Sequence, residues 1–178
     1  MVLSDEDASV LRRALEQLAG LLDELDRDML LGPTPCQQWT VQDLVDHIVA
    51  APAKLARMLR GESIDWSAPT PAAGNEPARA FRSRADDLLC ACRDYQGPPG
   101  PAGLDWQCAE LAVHTWDLAA AIGRSTGDLD PEVAARGLAF MHANLTENNR
   151  SPAFGPEQPA PAGADAYQRI AAFAGRSL

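Results

Sequence analysis

Apolar residues recur along this chain at intervals of three and four, the spacing that lines one face of a helix, and almost nowhere alternate as they do in a strand. Leu11, Ala14, Leu15, Leu18, Leu22 and Leu25 predict a first helix running to about Met29. Ser4 is its N-cap, and Asp5, Glu6 and Asp7 make an acidic first turn. Gly32-Pro33-Thr34-Pro35 breaks it. Thr40 caps a second helix carrying Val41, Leu44, Val45, Ile48, Leu55 and Leu59, with Pro52 expected to kink or shorten it. After a loop from Gly61 to Gly74, Asn75 opens a third helix striped by Phe81, Ala85, Leu88, Leu89 and Cys92, which Gly97-Pro98-Pro99-Gly100-Pro101 ends. A fourth runs from about Leu104 to Ile122, with Gly123 just beyond its C-terminal cap. Asp130-Pro131-Glu132 starts a fifth helix through Leu138, Met141 and Leu145. A Pro-rich irregular stretch from Asn148 to Gly163 precedes a short last helix, Asp165 to Ala174. Six helices, the first four long enough to bundle, predict one all-α domain over residues 1–178.

Composition narrows the range of functions. With 15 basic residues against 25 acidic ones the formal net charge is −10, which argues against nucleic acid or an anionic membrane surface, since both need a basic footprint. The first residues hold no basic, apolar leader, and no run approaches the roughly 20 apolar residues of a membrane span. Cys36, Cys90, Cys92 and Cys108 form no C-x-x-C pair, and a chain of 178 residues buries enough surface to stand without staples. The expectation is a cytoplasmic protein with reduced thiols.

The fourth helix carries the chemistry. Between Trp106 and Gly123 its ionisable side chains are Glu110, His114 and Asp117, set among Cys108, Ala109, Leu111, Ala112, Val113, Trp116, Leu118 and Ala119. A helix apolar on nearly every side is buried on nearly every side. Glu110 and His114, four residues apart, share one face. A buried carboxylate beside an imidazole needs a partner, and a divalent cation satisfies both; the same i,i+4 spacing presents two ligands to one ion in zinc-binding helices. A Glu–His hydrogen bond, or a face that meets solvent, satisfies the spacing equally well. His47, among Leu44, Val45, Ile48 and Val49 on the second helix, is either a third ligand or a satisfied core histidine. Asp43, one turn before it, either orients a ring or caps the helix, and Asp117 either orients a ring or is solvated. His142, beside Asn144, Glu147, Asn148 and Asn149, reads as a surface residue. Trp39, Trp106 and Trp116 read as core or entrance wall, and Cys36 and Cys108 as small buried hydrophobes.

Thr34-Pro35-Cys36-Gln37-Gln38-Trp39-Thr40-Val41-Gln42-Asp43-Leu44-Val45-Asp46-His47 resembles the T-P-C-x-x-W-x-v-x-d-L-x-x-H signature of a family of actinobacterial metal-binding proteins. Glu110-Leu111-Ala112-Val113-His114-Thr115-Trp116-Asp117-Leu118-Ala119 is similar to its second signature, E-x-x-x-H-x-w-D-l-a. Phe154-Gly155-Pro156 and the closing segment from Arg169 to Arg176 resemble its C-terminal part. That family is related to the N-terminal domain of mycothiol-dependent maleylpyruvate isomerase, within the DinB/YfiT-like superfamily of metal-dependent helical bundles.

The resemblance implies a DinB/YfiT-like four-helix bundle with additional short C-terminal helices. It implies a divalent metal, zinc or else nickel, held by His47, Glu110 and His114, with a position open for water or a thiolate. A small thiol such as mycothiol would be the nucleophile or cofactor and a small electrophile its partner, in an S-transferase or isomerase reaction. The isomerase's second, C-terminal domain has no counterpart in 178 residues, so maleylpyruvate isomerisation itself is not the reaction expected. A homodimer is compatible with this reading. The competing readings are a non-catalytic module that holds a metal or small ligand, and a bundle in which both signatures only specify packing. A purely packed bundle has no reason to place Glu110 and His114 on a helix otherwise nearly free of charge.

Overall fold

A computed structural model describes residues 5–36, 38–96, 104–150 and 153–178, and all its long elements are helices. These are α1 (Asp5–Asp23), α2 (Val41–Leu59), α3 (Pro77–Asp94), α4 (Leu104–Ala121), α5 (Pro131–Asn144) and α6 (Ala166–Phe173), with a 3-10 turn at Arg27–Met29. The expected cap at Ser4 and the Gly97 to Pro101 stop lie outside the described residues.

Helix starts follow the capping chemistry. The Thr40 backbone N–H donates to Asp43 Oδ2 (2.9 Å) and the Asp43 N–H donates to Thr40 Oγ1 (3.2 Å), a reciprocal capping box. Asp165 and Gln168 repeat it at α6, and Asp130 with Pro131 at the first helical position opens α5. Two expected boundaries move. Helix α1 ends at Asp23 rather than near Met29, because i→i+3 bonds (Glu24 N–H to Leu21, Leu25 N–H to Leu22) tighten its last turn and the chain passes into the 3-10 turn. Leu25 still packs on the core, which is why the apolar stripe outruns the helix. Helix α3 starts at Pro77, not Asn75, since the residue before a proline is driven from helical angles and Glu76 sits at φ −129°, ψ 65°. Pro52 does not shorten α2, which continues seven residues beyond it with the ring buried.

α1 and α2 each pack on both α3 and α4, so four helices enclose the core, and α5 and α6 close over the outer side of α4. From Gln107 to Ala119 every residue of α4 is buried except Glu110. α4 and α5 approach closely at Gly137, where a Cβ would stand 2.7 Å from Ala109 Cα. Helix α4 ends in a Schellman motif, with Gly123 at φ +72° and Arg124 N–H bonded to Ala119 (2.8 Å). No helix among the described residues is long and apolar enough to cross a membrane.

Candidate metal centre

α2 and α4 bring His47, Glu110 and His114 together. His47 Nε2 lies 2.8 Å from Glu110 Oε1, and His114 Nε2 lies 3.4 Å from the same oxygen. One ligand atom from each residue falls within 4.8 Å of the others, the grouping of its kind among the described residues. The two imidazole centroids are 4.7 Å apart and steeply inclined, so their nitrogens converge instead of stacking. Trp39 leans over both, 4.9 Å from the His47 ring and 6.0 Å from that of His114. It is placed by the loop before α2, where Thr34 Oγ1 reaches the carbonyls of Cys36 (3.0 Å) and Trp39 (2.9 Å).

The donor set suits a divalent ion of the zinc kind. Bonds of 2.0–2.1 Å in a tetrahedron separate ligand atoms by about 3.3 Å. The His114–Glu110 spacing already meets that value, and His47 has to part from Glu110 by about half an ångström. His47, Glu110 and His114 would hold such an ion through two imidazole nitrogens and one carboxylate oxygen.

Behind the ligands lies a second layer of contacts. His114 Nδ1 donates to Asp117 Oδ2 (3.2 Å), which selects Nε2 as the nitrogen facing Glu110. Asp117 is wholly buried and is gripped on both oxygens by Arg176, Nε to Oδ1 at 2.9 Å and Nη2 to Oδ2 at 3.0 Å. The Cys36 thiol stands against the same pair, 3.7 Å from Asp117 Oδ2 and 3.1 Å from Arg176 Nη2. Burial alone would raise the Glu110 carboxyl, but the charges and hydrogen bonds of His114 and His47 hold it well below the ordinary carboxylate range. Burial likewise opposes a charge on His114, yet Glu110 and Asp117 outweigh it and push this imidazole up to about 9. Burial, reinforced by Asp117 and opposed by Arg176, pushes the Cys36 thiol up to about 11.

The cluster opens on a cavity of about 830 Å³. Its walls include Pro35, Cys36, Trp39 and Val113 together with Phe154, Gly155, Pro156, Gly175 and Arg176. Glu110 is thus the one residue in its stretch of α4 left unburied because it faces this space.

The residues singled out in the sequence take the following places. Asp43 bonds to Thr40 in the capping box, the second of its two readings, whereas Asp117 touches a histidine ligand candidate. Cys36 is not a small buried hydrophobe but a half-buried thiol with two polar neighbours on the cavity wall, while Cys108 is fully buried. Trp39 is entrance wall. His142 is exposed, its ring 4.2 Å from that of Phe173. Arg176 has no role in the sequence reading. The available signal is Gly175-Arg176 directly after a helix, a C-terminal cap glycine followed by a residue turned back on the bundle.

An all-α bundle with two histidines and a glutamate converging from two helices on a cavity defines the class. Residues 11–119 match the mycothiol maleylpyruvate isomerase N-terminal domain, and the chain belongs to that family. It is 32% identical over 177 residues to an uncharacterized protein of Mycobacterium tuberculosis, found in strains CDC 1551 and H37Rv, covering 94% of this chain and 96% of the relative. No solved structure matches it.

Proposed function

We propose that the chain holds one divalent metal ion, zinc or else nickel, through His47, Glu110 and His114, and uses it with a small thiol in S-transfer to, or isomerisation of, a small electrophile. The observation that carries this reading is the convergence of three ligand atoms within 4.8 Å at the wall of an 830 Å³ cavity. A bound cation there supplies the positive charge that keeps a thiol sulfur as the nucleophilic thiolate at neutral pH. The chain's own residues do the rest. Asp117 accepts the Nδ1 proton of His114, so that Nε2 is the nitrogen left to bind a metal once its own proton is displaced. Trp39, Val113 and Phe154 give the cavity apolar walls that exclude water around a bound ligand. The family's name supports a thiol as cofactor, and the absence of a C-x-x-C pair among the four cysteines supports work in the reducing cytoplasm.

Metal content of untagged protein tests the first half. We expect about one equivalent per chain in the wild type and a large loss in His47→Ala and His114→Ala; undiminished metal in both variants removes the centre. Titrating a simple thiol or mycothiol into cobalt-substituted protein tests the second half. A new sulfur-to-metal charge-transfer band in the near ultraviolet supports thiol use. An unchanged spectrum at millimolar excess leaves a module that holds a metal without this chemistry.

A further inference from the structure

Arg176 and Asp117 form a pair unlike the other arginine–carboxylate pairs of the described residues. Arg176 is 7% exposed and Asp117 0%, whereas the arginine side chains of the surface pairs are at least 27% exposed. Burying two full charges is costly unless geometry and further hydrogen bonds offset the loss of water. Here the geometry is two-pronged. Arg176 binds both carboxylate oxygens, so the carboxylate plane cannot turn, and Oδ2 so fixed accepts the Nδ1 proton of His114. The opposite nitrogen of that ring then points at Glu110, 3.4 Å away.

The delivery of Arg176 is equally specific. Gly175, at φ +87°, reverses the chain at the end of α6, with Arg176 N–H bonded to Ala171 (2.9 Å). A Cβ on Gly175 would lie 2.6 Å from the backbone of Gly155, so the two segments touch with nothing between them. Arg150 pins both, donating to Gly155 O (3.1 Å) and Phe173 O (2.6 Å). None of these residues lies within the 11–119 span that matches the family.

We infer that Arg176 is a positioning residue of the metal centre: acting through Asp117, it fixes which nitrogen His114 presents and in what direction. The inference rests on the proposed metal reading. Carboxylates that orient a ligating histidine are commonly worth ten- to a hundredfold in metal affinity, and Arg176 commands that carboxylate.

The test compares zinc affinity, by chelator competition, and the ligand-field spectrum of the cobalt form across wild type, Arg176→Lys, Arg176→Gln, Asp117→Asn and the double variant Arg176→Gln/Asp117→Asn. Thermal unfolding of each metal-free protein is recorded alongside. We expect Arg176→Gln to weaken zinc by roughly ten- to a hundredfold and shift the cobalt spectrum. Lysine, a point charge without the fork, should restore part of the affinity. The double variant should be no weaker than Asp117→Asn alone. A folded Arg176→Gln with wild-type affinity and spectrum, or losses that add in the double variant, overturns the inference. Should glutamine prevent folding, Arg176→Lys decides: wild-type affinity and spectrum there overturn it as well. A wild type that takes up no zinc or cobalt overturns the metal reading and this inference with it, whereas a wild type that binds beside variants that bind equally overturns the role of Arg176 alone.

Discussion

His114 stands between two carboxylates, and its proton count ties the centre to pH. Its pKa of about 9, against an ordinary 6.5, means that at pH 7 the metal-free ring carries an extra proton that a metal must displace. Apparent metal affinity should therefore rise by up to about tenfold per pH unit from pH 7 and level off near 9. Calorimetry in buffers of different ionisation enthalpy should count close to one proton released at pH 7; none released would mean that His114 is already neutral. The sign for the metal-free protein is opposite. A raised histidine pKa lends stability that is complete below 6.5 and is lost as pH climbs through about 9. Glu110 and Asp117, both lowered, lend stability present above their ordinary values and lost on acidification through their folded ones. Thermal midpoints across pH 5–10, with and without metal, should therefore diverge towards the alkaline end. At this scale the sequence was partly legible. The i,i+4 face of Glu110 and His114 and the i,i+3 reach to Asp117 follow from helix geometry, whereas the link to Arg176, 59 positions away, follows only from the tertiary fold.

Helix interiors and ends separate what periodicity can tell from what it cannot. Apolar patterning and capping residues located all six helices, because burial marks a helix interior directly; the C-terminal end of α1 and the start of α3 differ from expectation where bond type and proline sterics, not burial, decide. Glycines show the same division. Gly20 and Gly137 both sit inside helices, yet a Cβ at Gly20 meets nothing within 4 Å while one at Gly137 runs into the α4 backbone at Ala109. Gly20→Ala should stabilise the protein by about 0.5–1 kcal/mol through helix propensity. Gly137→Ala should destabilise it by about 1–3 kcal/mol, since backbone cannot give way as a side-chain tip does. Urea unfolding of the two variants checks the pair, and equal signs would refute the packing account. Because Gly137 lies against the turn before Glu110, the second variant should also loosen metal binding.

Across the whole molecule the core is continuous through all six helices, and the candidate ligands sit at its edge instead of holding it together. The fold should therefore stand without the proposed metal. Chelation should leave the far-ultraviolet helical signal intact at room temperature, and a metal at a hundredfold excess over its Kd should add about 2.7 kcal/mol, which is roughly 5–10 °C in Tm for a chain of this size. Loss of helix on chelation would show the centre to be structural. The negative charge of −10 and the all-helical architecture were both plain in the sequence. The cavity was not, because its walls come from residues around 35, 110, 155 and 176, and no local pattern records such a meeting. That scattering governs time as well as shape. Arg176 meets Cys36 across 140 positions, and closing so long a loop carries an entropy cost that favours its forming late. Contacts made late on the folding route scarcely alter how fast a protein folds, but they lengthen the life of the folded state. The clasp of Arg176, Asp117 and Cys36 should therefore lengthen the life of the folded state, and Arg176→Gln should speed unfolding more than it slows folding.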